Sequence, residues 1–256
     1  MDRKLFFDHA RQSLFGGTLS LDQVAGMIAI LDEWDRRKLP DIRFLAYMLA
    51  TTFHETARTM QPIREYGLGR GHSYAPYYGR GFVQLTWKAN YAKASKLVGA
   101  DLVANPDRAL ELPIATDVLF DGMLVGWFTG KKLSDFINAK VCDYIGARKI
   151  INGTDKASTI AGYARSFETA LRSAASGVAL QPDAPPVTLP PADPVAPKPQ
   201  PPAPPAQKAA TAAVGAVVVA AGGTVSTGHP WLWVAAAVAV IIVTVAILTR
   251  KGTFGK

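Results

Sequence analysis

Twelve of the chain's 18 prolines fall between Pro182 and Pro205, so half of that 24-residue stretch is proline. Proline fixes φ and has no N–H to donate, and a segment this rich in it forms neither a helix nor a central strand. It favours extended polyproline II and reads as a spacer, able to reach roughly 75 Å at about 3.1 Å per residue. PxxP spacings occur within it, as in SH3 ligands, but a linker is the stronger reading. The spacer divides the 256 residues into a domain over 1–180, a linker over 181–208 and a tail over 209–256. The 49% hydrophobic content of the whole is ordinary for a globular protein, yet it averages three unlike parts.

In the tail, residues 231–248 carry no charge. As a helix they span roughly 27 Å, close to the hydrocarbon core of a bilayer. Trp231 and Trp233 stand at one end and Arg250 and Lys251 at the other. This predicts a transmembrane helix at about 231–249 with a cytoplasmic C-terminus and the inner membrane as partner. Residues 209–224 are apolar but poor in large side chains, and fit equally the first arm of a hairpin or an interfacial extension of the linker. With one span the N-terminal domain faces outward; with a hairpin it stays in the cytoplasm until the membrane fails. At the other end, Leu5-Phe6-Phe7 before Asp8 is far short of the roughly 7–15 apolar residues of a signal peptide.

The formal charge is +8, and up to Gln181 there are 23 Lys+Arg against 18 Asp+Glu. A modest positive balance suits an anionic polymer, lipid surface or cell wall. The longest basic block, Arg36-Arg37-Lys38, follows Asp32, Glu33 and Asp35 and reads as a solvated helix end, so nucleic acid is not an expected partner. The single cysteine, Cys142, excludes an internal disulfide and a cysteine-rich zinc site, and reads as a small core residue. No metal or cofactor is expected.

The first domain reads as all-α. Ser20 and Gln23 form a capping box for a helix carrying Val24, Ile28, Leu31 and Trp34. Pro40-Asp41 opens a second helix with an apolar stripe of Ile42, Leu45, Ala46, Leu49 and Phe53. Thr86 is the expected cap of a helix running to Val98, with Gly99 as its stop. Asn105-Pro106 is a cap pair, and Pro113 opens a helix carrying Ile114, Val118 and Leu119. Further helices are expected near 140–151 and 156–176. Residues 60–81 read as loop, with Gly67-Leu68-Gly69-Arg70-Gly71 supplying flexibility.

Chemistry concentrates in three patches: Phe53-His54-Glu55-Thr56, Pro62-Ile63-Arg64-Glu65-Tyr66, and Tyr77 through Trp87 followed by Asn90-Tyr91. His54-Glu55 lacks the second histidine of a zinc protease, and there is no Gly-x-Ser-x-Gly. Two glutamates ten residues apart remain. Glycoside hydrolysis needs such a pair, one protonated to donate to the leaving oxygen and one ionised to activate water. A helix-end acid packed beside Phe53 and Met60 is the candidate for protonation through desolvation; a loop acid beside Arg64 stays ionised more easily. The pair alone is nonspecific.

Phe53-His54-Glu55-Thr56, the block Tyr78-Gly79-Arg80-Gly81-Phe82-Val83-Gln84-Leu85-Thr86, Asn90-Tyr91 and Ile151-Asn152-Gly153 together resemble glycoside hydrolase family 19. That family holds chitinases and phage endolysins with a lysozyme-like helical fold, and the likeness covers roughly residues 44–171. The resemblance implies Glu55 as general acid and Glu65 as general base. It implies that Gln84, Thr86, Asn90 and Asn152 hydrogen-bond the N-acetyl sugar or the attacking water, and that Tyr78 and Arg80 shape the cleft floor. It also implies inversion at the anomeric carbon. The sequence departs from plant members in a short segment between Glu55 and Tyr78, in lacking their cysteine pairs, in having no lysine near Asp117, and in lacking a clean match to the arginine after Asn152, for which Arg165 is the candidate. Trp87 and Tyr91 fit core and cleft equally, and His54 reads as a hydrogen-bonded scaffold residue.

The expected function is an endolysin cleaving β-1,4 bonds of peptidoglycan, made in the cytoplasm and acting on the periplasmic wall. The alternatives are a chitinase of the same fold and, from another class, a membrane-tethered wall-binding or holin-like protein with a vestigial site.

Overall fold

A computed structural model describes residues 1–177. The expected linker, transmembrane helix and hairpin all lie outside the described residues. Among the described residues no helix is long and apolar enough to cross a membrane.

The architecture is mostly helical. In chain order it runs α1 (Arg3–Leu14), α2 (Leu21–Arg37), α3 (Ile42–Glu55), β1 (Ile63–Arg64), β2 (Arg80–Gly81), α4 (Lys88–Val98), a 3₁₀ turn (Pro106–Leu110), α5 (Leu112–Val125), α6 (Leu133–Phe136), a second 3₁₀ turn (Gly146–Ile150) and α7 (Ala157–Ser176). The only sheet among the described residues is β1 against β2, antiparallel, with Ile63 opposite Gly81 and Arg64 opposite Arg80.

Helix α3 is the centre. From Leu45 to Phe53 every residue is buried, so the expected stripe is instead a helix enclosed on all sides. It packs chiefly on α7, which also carries α1. Phe53 meets Phe15, Tyr163 and Phe167 edge-on, with ring centroids 5.0, 4.9 and 5.9 Å away. α1 was not anticipated from the sequence; Asp2 caps it by accepting from the Leu5 N–H, and Phe6, Ala10 and Leu14 form its buried face.

The capping box at Ser20 is present in full. The buried face of α2 is Met27, Ile30, Leu31 and Trp34, however, leaving Val24 and Ile28 half-buried. Gly26 turns that face toward the loop after α3: a Cβ there would lie 1.7 Å from the Met60 carbonyl oxygen. Arg37 does more than solvate a helix end. It pairs with Glu33 on its own helix and with Asp117 and Asp121 on α5.

Four other expectations need correction. Thr86 does not cap α4, because its hydroxyl donates to the Gln84 carbonyl and the N-cap is Trp87, at φ +75°. Asn105 and Pro106 do stand as the cap pair, but of the first 3₁₀ turn, and Asn105 makes no side-chain cap bond. Residues 140–151 form a single 3₁₀ turn after a bridge between Ile137 and Cys142. Cys142 itself is exposed.

Candidate active site

Glu55 is the last residue of α3 and is 1% exposed. Immediately after it Ala57, Arg58 and Met60 all take positive φ, a conformation uncommon outside glycine, and this reverses the chain sharply. Thr56 secures the reversal: its hydroxyl donates to the Thr52 carbonyl at 2.7 Å and accepts from the Met60 N–H at 3.1 Å. Gln23 adds a tie from α2 to the Arg58 carbonyl at 3.0 Å.

A partner of Glu55 comes from far along the chain. Arg148, in the second 3₁₀ turn and 3% exposed, donates from Nη1 to Glu55 Oε1 at 2.6 Å. Its Nε is committed to the Asp155 carbonyl at 3.0 Å. Arg165, the candidate suggested by the resemblance, is exposed on α7 and plays no such part. The signal that marks Arg148 is a charged residue inside the buried run Ala147, Arg148, Ile150, Ile151. Asn152 follows directly, its N–H donating to the Arg148 carbonyl at 3.0 Å; its side chain is half-buried and makes no hydrogen bond among the described residues.

His54 does not make the side-chain hydrogen bond expected of it. Its imidazole has no hydrogen-bond partner among the described residues, and burial pushes its pKa below the ordinary value, keeping it neutral. On the same helix the hydroxyls of Tyr47, Thr51 and Thr52 are buried without a partner among the described residues. Burial also pushes the Tyr47 phenol up.

Glu65 follows β1 and is 7% exposed. The Tyr74 hydroxyl donates to its Oε1 at 2.6 Å, and the Gly79 N–H donates to its Oε2 at 2.8 Å. Arg64, expected to stand beside it, points outward from the strand and pairs with Asp107 at 3.0 Å. Alternation along an extended segment is the reason: successive side chains leave on opposite faces. The glycine-rich segment is a series of tight turns rather than a flexible strip. N–H groups of Leu68, Arg70, His72 and Ala75 each donate to the carbonyl three residues earlier, and Gly67, Leu68, Gly69 and Gly71 supply the positive φ values.

The Tyr-Gly-Arg-Gly block builds the wall behind Glu65. Gly79 has no room for a side chain: a Cβ would lie 2.7 Å from Gln84 Oε1 and 3.2 Å from Glu65 Oε2. Arg80 is buried, and its Nε donates to Asp107 at 2.7 Å. Its Nη1 donates to the Pro76 and Tyr78 carbonyls and the Tyr91 hydroxyl, and its guanidinium lies 3.5 Å from the Tyr78 ring centroid. Hydrogen bonds from Arg64, then Arg80, hold the Asp107 carboxyl below its usual range. Gln84, at φ +52°, donates from Nε2 to the Ile63 and Gly81 carbonyls, pinning the strand pair. Asn90 donates to the Thr86 carbonyl at 2.9 Å, while its Oδ1 is buried without a partner among the described residues. Tyr91 is core; Trp87 is half-buried against the Tyr74 ring.

A structure thus organised can be set beside known proteins. A family model described as chitinase class I, of glycoside hydrolase family 19, matches residues 45–161, a little under half of the chain. A basic endochitinase of Vitis vinifera is 42% identical over 52 residues, 20% of this chain and 15% of the relative. An endochitinase of Avena sativa is 42% identical over 67 residues, 25% of this chain and 32% of the relative. The chain therefore spans between about a sixth and a third of the length of these relatives. Chitinase C from Streptomyces griseus HUT6037 aligns with a TM-score of 0.47 at 21% identity, covering 70% of this chain and 78% of that one.

Proposed function

We propose that this protein is an inverting glycosidase with a lysozyme-like catalytic domain that hydrolyses β-1,4 bonds of an N-acetylglucosamine polymer. The observation that carries the reading is the pair of buried glutamates within the family-matched region, partnered by groups of different kind. Environments that differ in this way divide acid and base work between two carboxyl groups.

In this mechanism Glu55 gives its proton to the glycosidic oxygen as the bond to the anomeric carbon breaks. Glu65 accepts a proton from the water that attacks that carbon from the opposite face. Each chain of the cleaved polymer leaves with a complete hydroxyl, and Glu55 and Glu65 then exchange the proton through solvent. Asn152, with an uncommitted amide, and Asn90, with an unpartnered Oδ1, are the groups suited to an N-acetyl sugar. Gln84, Thr86, Tyr78 and Arg80 support this arrangement mainly through the backbone they brace.

The relatives are named as chitinases and endochitinases, which favours chitin over the peptidoglycan expected from the sequence. Peptidoglycan is a second reading, supported by the +8 charge and by the proline spacer and apolar tail carried in the same chain. Digesting both polymers with the full-length protein and identifying the new reducing ends and their anomeric configuration tests the proposal. New N-acetylglucosamine ends from chitin, released as the α-anomer, are the expected result. If neither polymer gains reducing ends, the glycosidase reading fails. For the tail we propose inner-membrane association through residues 231–249; recovery of the full chain in the soluble fraction would refute it.

A further inference from the structure

We propose that Tyr74 is a positioning residue for Glu65: its hydroxyl holds the carboxylate in the rotation about the Cγ–Cδ bond from which it takes a proton from water. The inference rests on the assignment of Glu65 as the base. Tyr74 lies between the two halves of the family motif, and nothing in the resemblance gives it a role.

The geometry is specific. Glu65 presents two oxygens, and each has one fixed donor: Tyr74 at 2.6 Å on Oε1 and Gly79 at 2.8 Å on Oε2. The backbone beneath is tied as well, since the Glu65 N–H donates to the Gly79 carbonyl at 2.7 Å. One donor alone leaves a carboxylate free to turn about the axis of that bond; two donors on different oxygens fix the plane. Each oxygen keeps a second lone pair, so the clamp leaves the carboxylate able to accept a proton. A short bond from a neutral donor to a charged acceptor is of the stronger class.

Tyr74 is itself held. It is buried, its ring stacks on His72 with centroids 4.9 Å apart and planes 9° from parallel, and it meets Trp87 edge-on at 5.3 Å. Burial, then the hydrogen bond to Glu65, pushes its phenol up, which favours the protonated, donating form. The turns between Gly67 and Ala75 deliver it there, and Gly69 allows close approach: a Cβ at Gly69 would lie 2.8 Å from Tyr78 Cβ and 3.1 Å from the Tyr74 ring.

The test compares the full-length wild type with Tyr74→Phe and Glu65→Gln, assayed on whichever of chitin oligomers and peptidoglycan the wild type cleaves. Tyr74→Phe removes one oxygen and keeps both ring contacts. It is expected to lower kcat about 10-fold or more while KM stays within about twofold, because a misaligned base slows the chemical step without touching sugar binding. Glu65→Gln is expected to lose activity more severely. If Glu65→Gln is inactive and Tyr74→Phe keeps its kcat, or loses only in KM, the positioning role is wrong and the base assignment stands. If Glu65→Gln is fully active, the base assignment is wrong and the inference falls with it. Should Tyr74→Phe not fold, 3-fluorotyrosine at position 74 keeps the contact and alters only donor strength. A change in kcat without a change in KM then supports the role, and an unchanged kcat overturns it.

Discussion

Glu55 and Glu65 are both buried, yet they are held in opposite ways. Glu55 meets a full charge delivered by Arg148, 93 residues further on. Glu65 meets two neutral donors supplied by its own loop, Tyr74 and Gly79, 9 and 14 residues away. The first arrangement depends on the packing of α3 against the segment before α7; the second is built by a run of local turns. A buried guanidinium held by a distant carboxyl group commits the fold, because a guanidinium left alone in the interior is costly. Neutral donors commit mainly the orientation of the group they hold. The site thus divides into a part tied to global stability and a part tied to local geometry.

The largest expected effect separates the two glutamates themselves. Glu55→Gln should lower kcat by roughly 10²–10⁴-fold, the range for loss of a general acid, with the circular dichroism spectrum unchanged. A fully active variant removes Glu55 from the mechanism and with it the contrast. Glu65→Gln at a smaller loss than Glu55→Gln would sharpen the contrast, since it would show that neighbouring groups also position the water.

Next comes stability. Arg148→Met removes the buried guanidinium that faces Glu55 and should cost about 3–5 kcal/mol in chemical denaturation. Adding Glu55→Gln to that variant should restore much of the loss. Additive losses in the double variant would mean that the pair is not coupled and that Arg148 matters only for packing. Gly79→Ala should cost about 1–3 kcal/mol, because its Cβ presses on Glu65 and on a pinned Gln84, and it should lower activity more than stability. An unaltered variant would show that the local wall yields, contrary to the tight fit described.

The smallest effect concerns His54. Burial lowers its pKa in the folded state, so the unfolded chain binds the extra proton first as pH falls. Its contribution to stability is therefore present above the unfolded value of about 6.5 and is lost as pH drops below it. His54→Gln should flatten the dependence of unfolding free energy on pH from about pH 7 toward 5. An unchanged slope would place the acid sensitivity at other groups.

Much of the helical scaffold could be read directly. The capping box at Ser20, the Asp41 cap and the proline at the start of α5 each act through contacts within a turn of the chain, so sequence alone carries them. α1 is marked only weakly, by Asp2 and the spacing of Phe6, Ala10 and Leu14. The failures have a common cause. Thr86 has the chemistry of a cap, but its hydroxyl is drawn to Gln84 by a turn that precedes the helix. Arg64 lies next to Glu65 in sequence and on the opposite face in space. Cys142 has the size of a core residue and sits on a bridge at the surface.

The sequence by itself determined that the first domain would be mostly helical, and it singled out Glu55, Glu65 and the Tyr-Gly-Arg-Gly block as the candidates for its chemistry. Caps, periodicity and motif are local, and local interactions are written in order along the chain. Only the tertiary structure decided which charge faces Glu55 and which hydroxyl faces Glu65. Arg148 and Tyr74 are ordinary residues in sequence. They become partners because packing of a wholly buried α3 and a succession of left-handed turns leave each of them where a buried carboxylate must be satisfied.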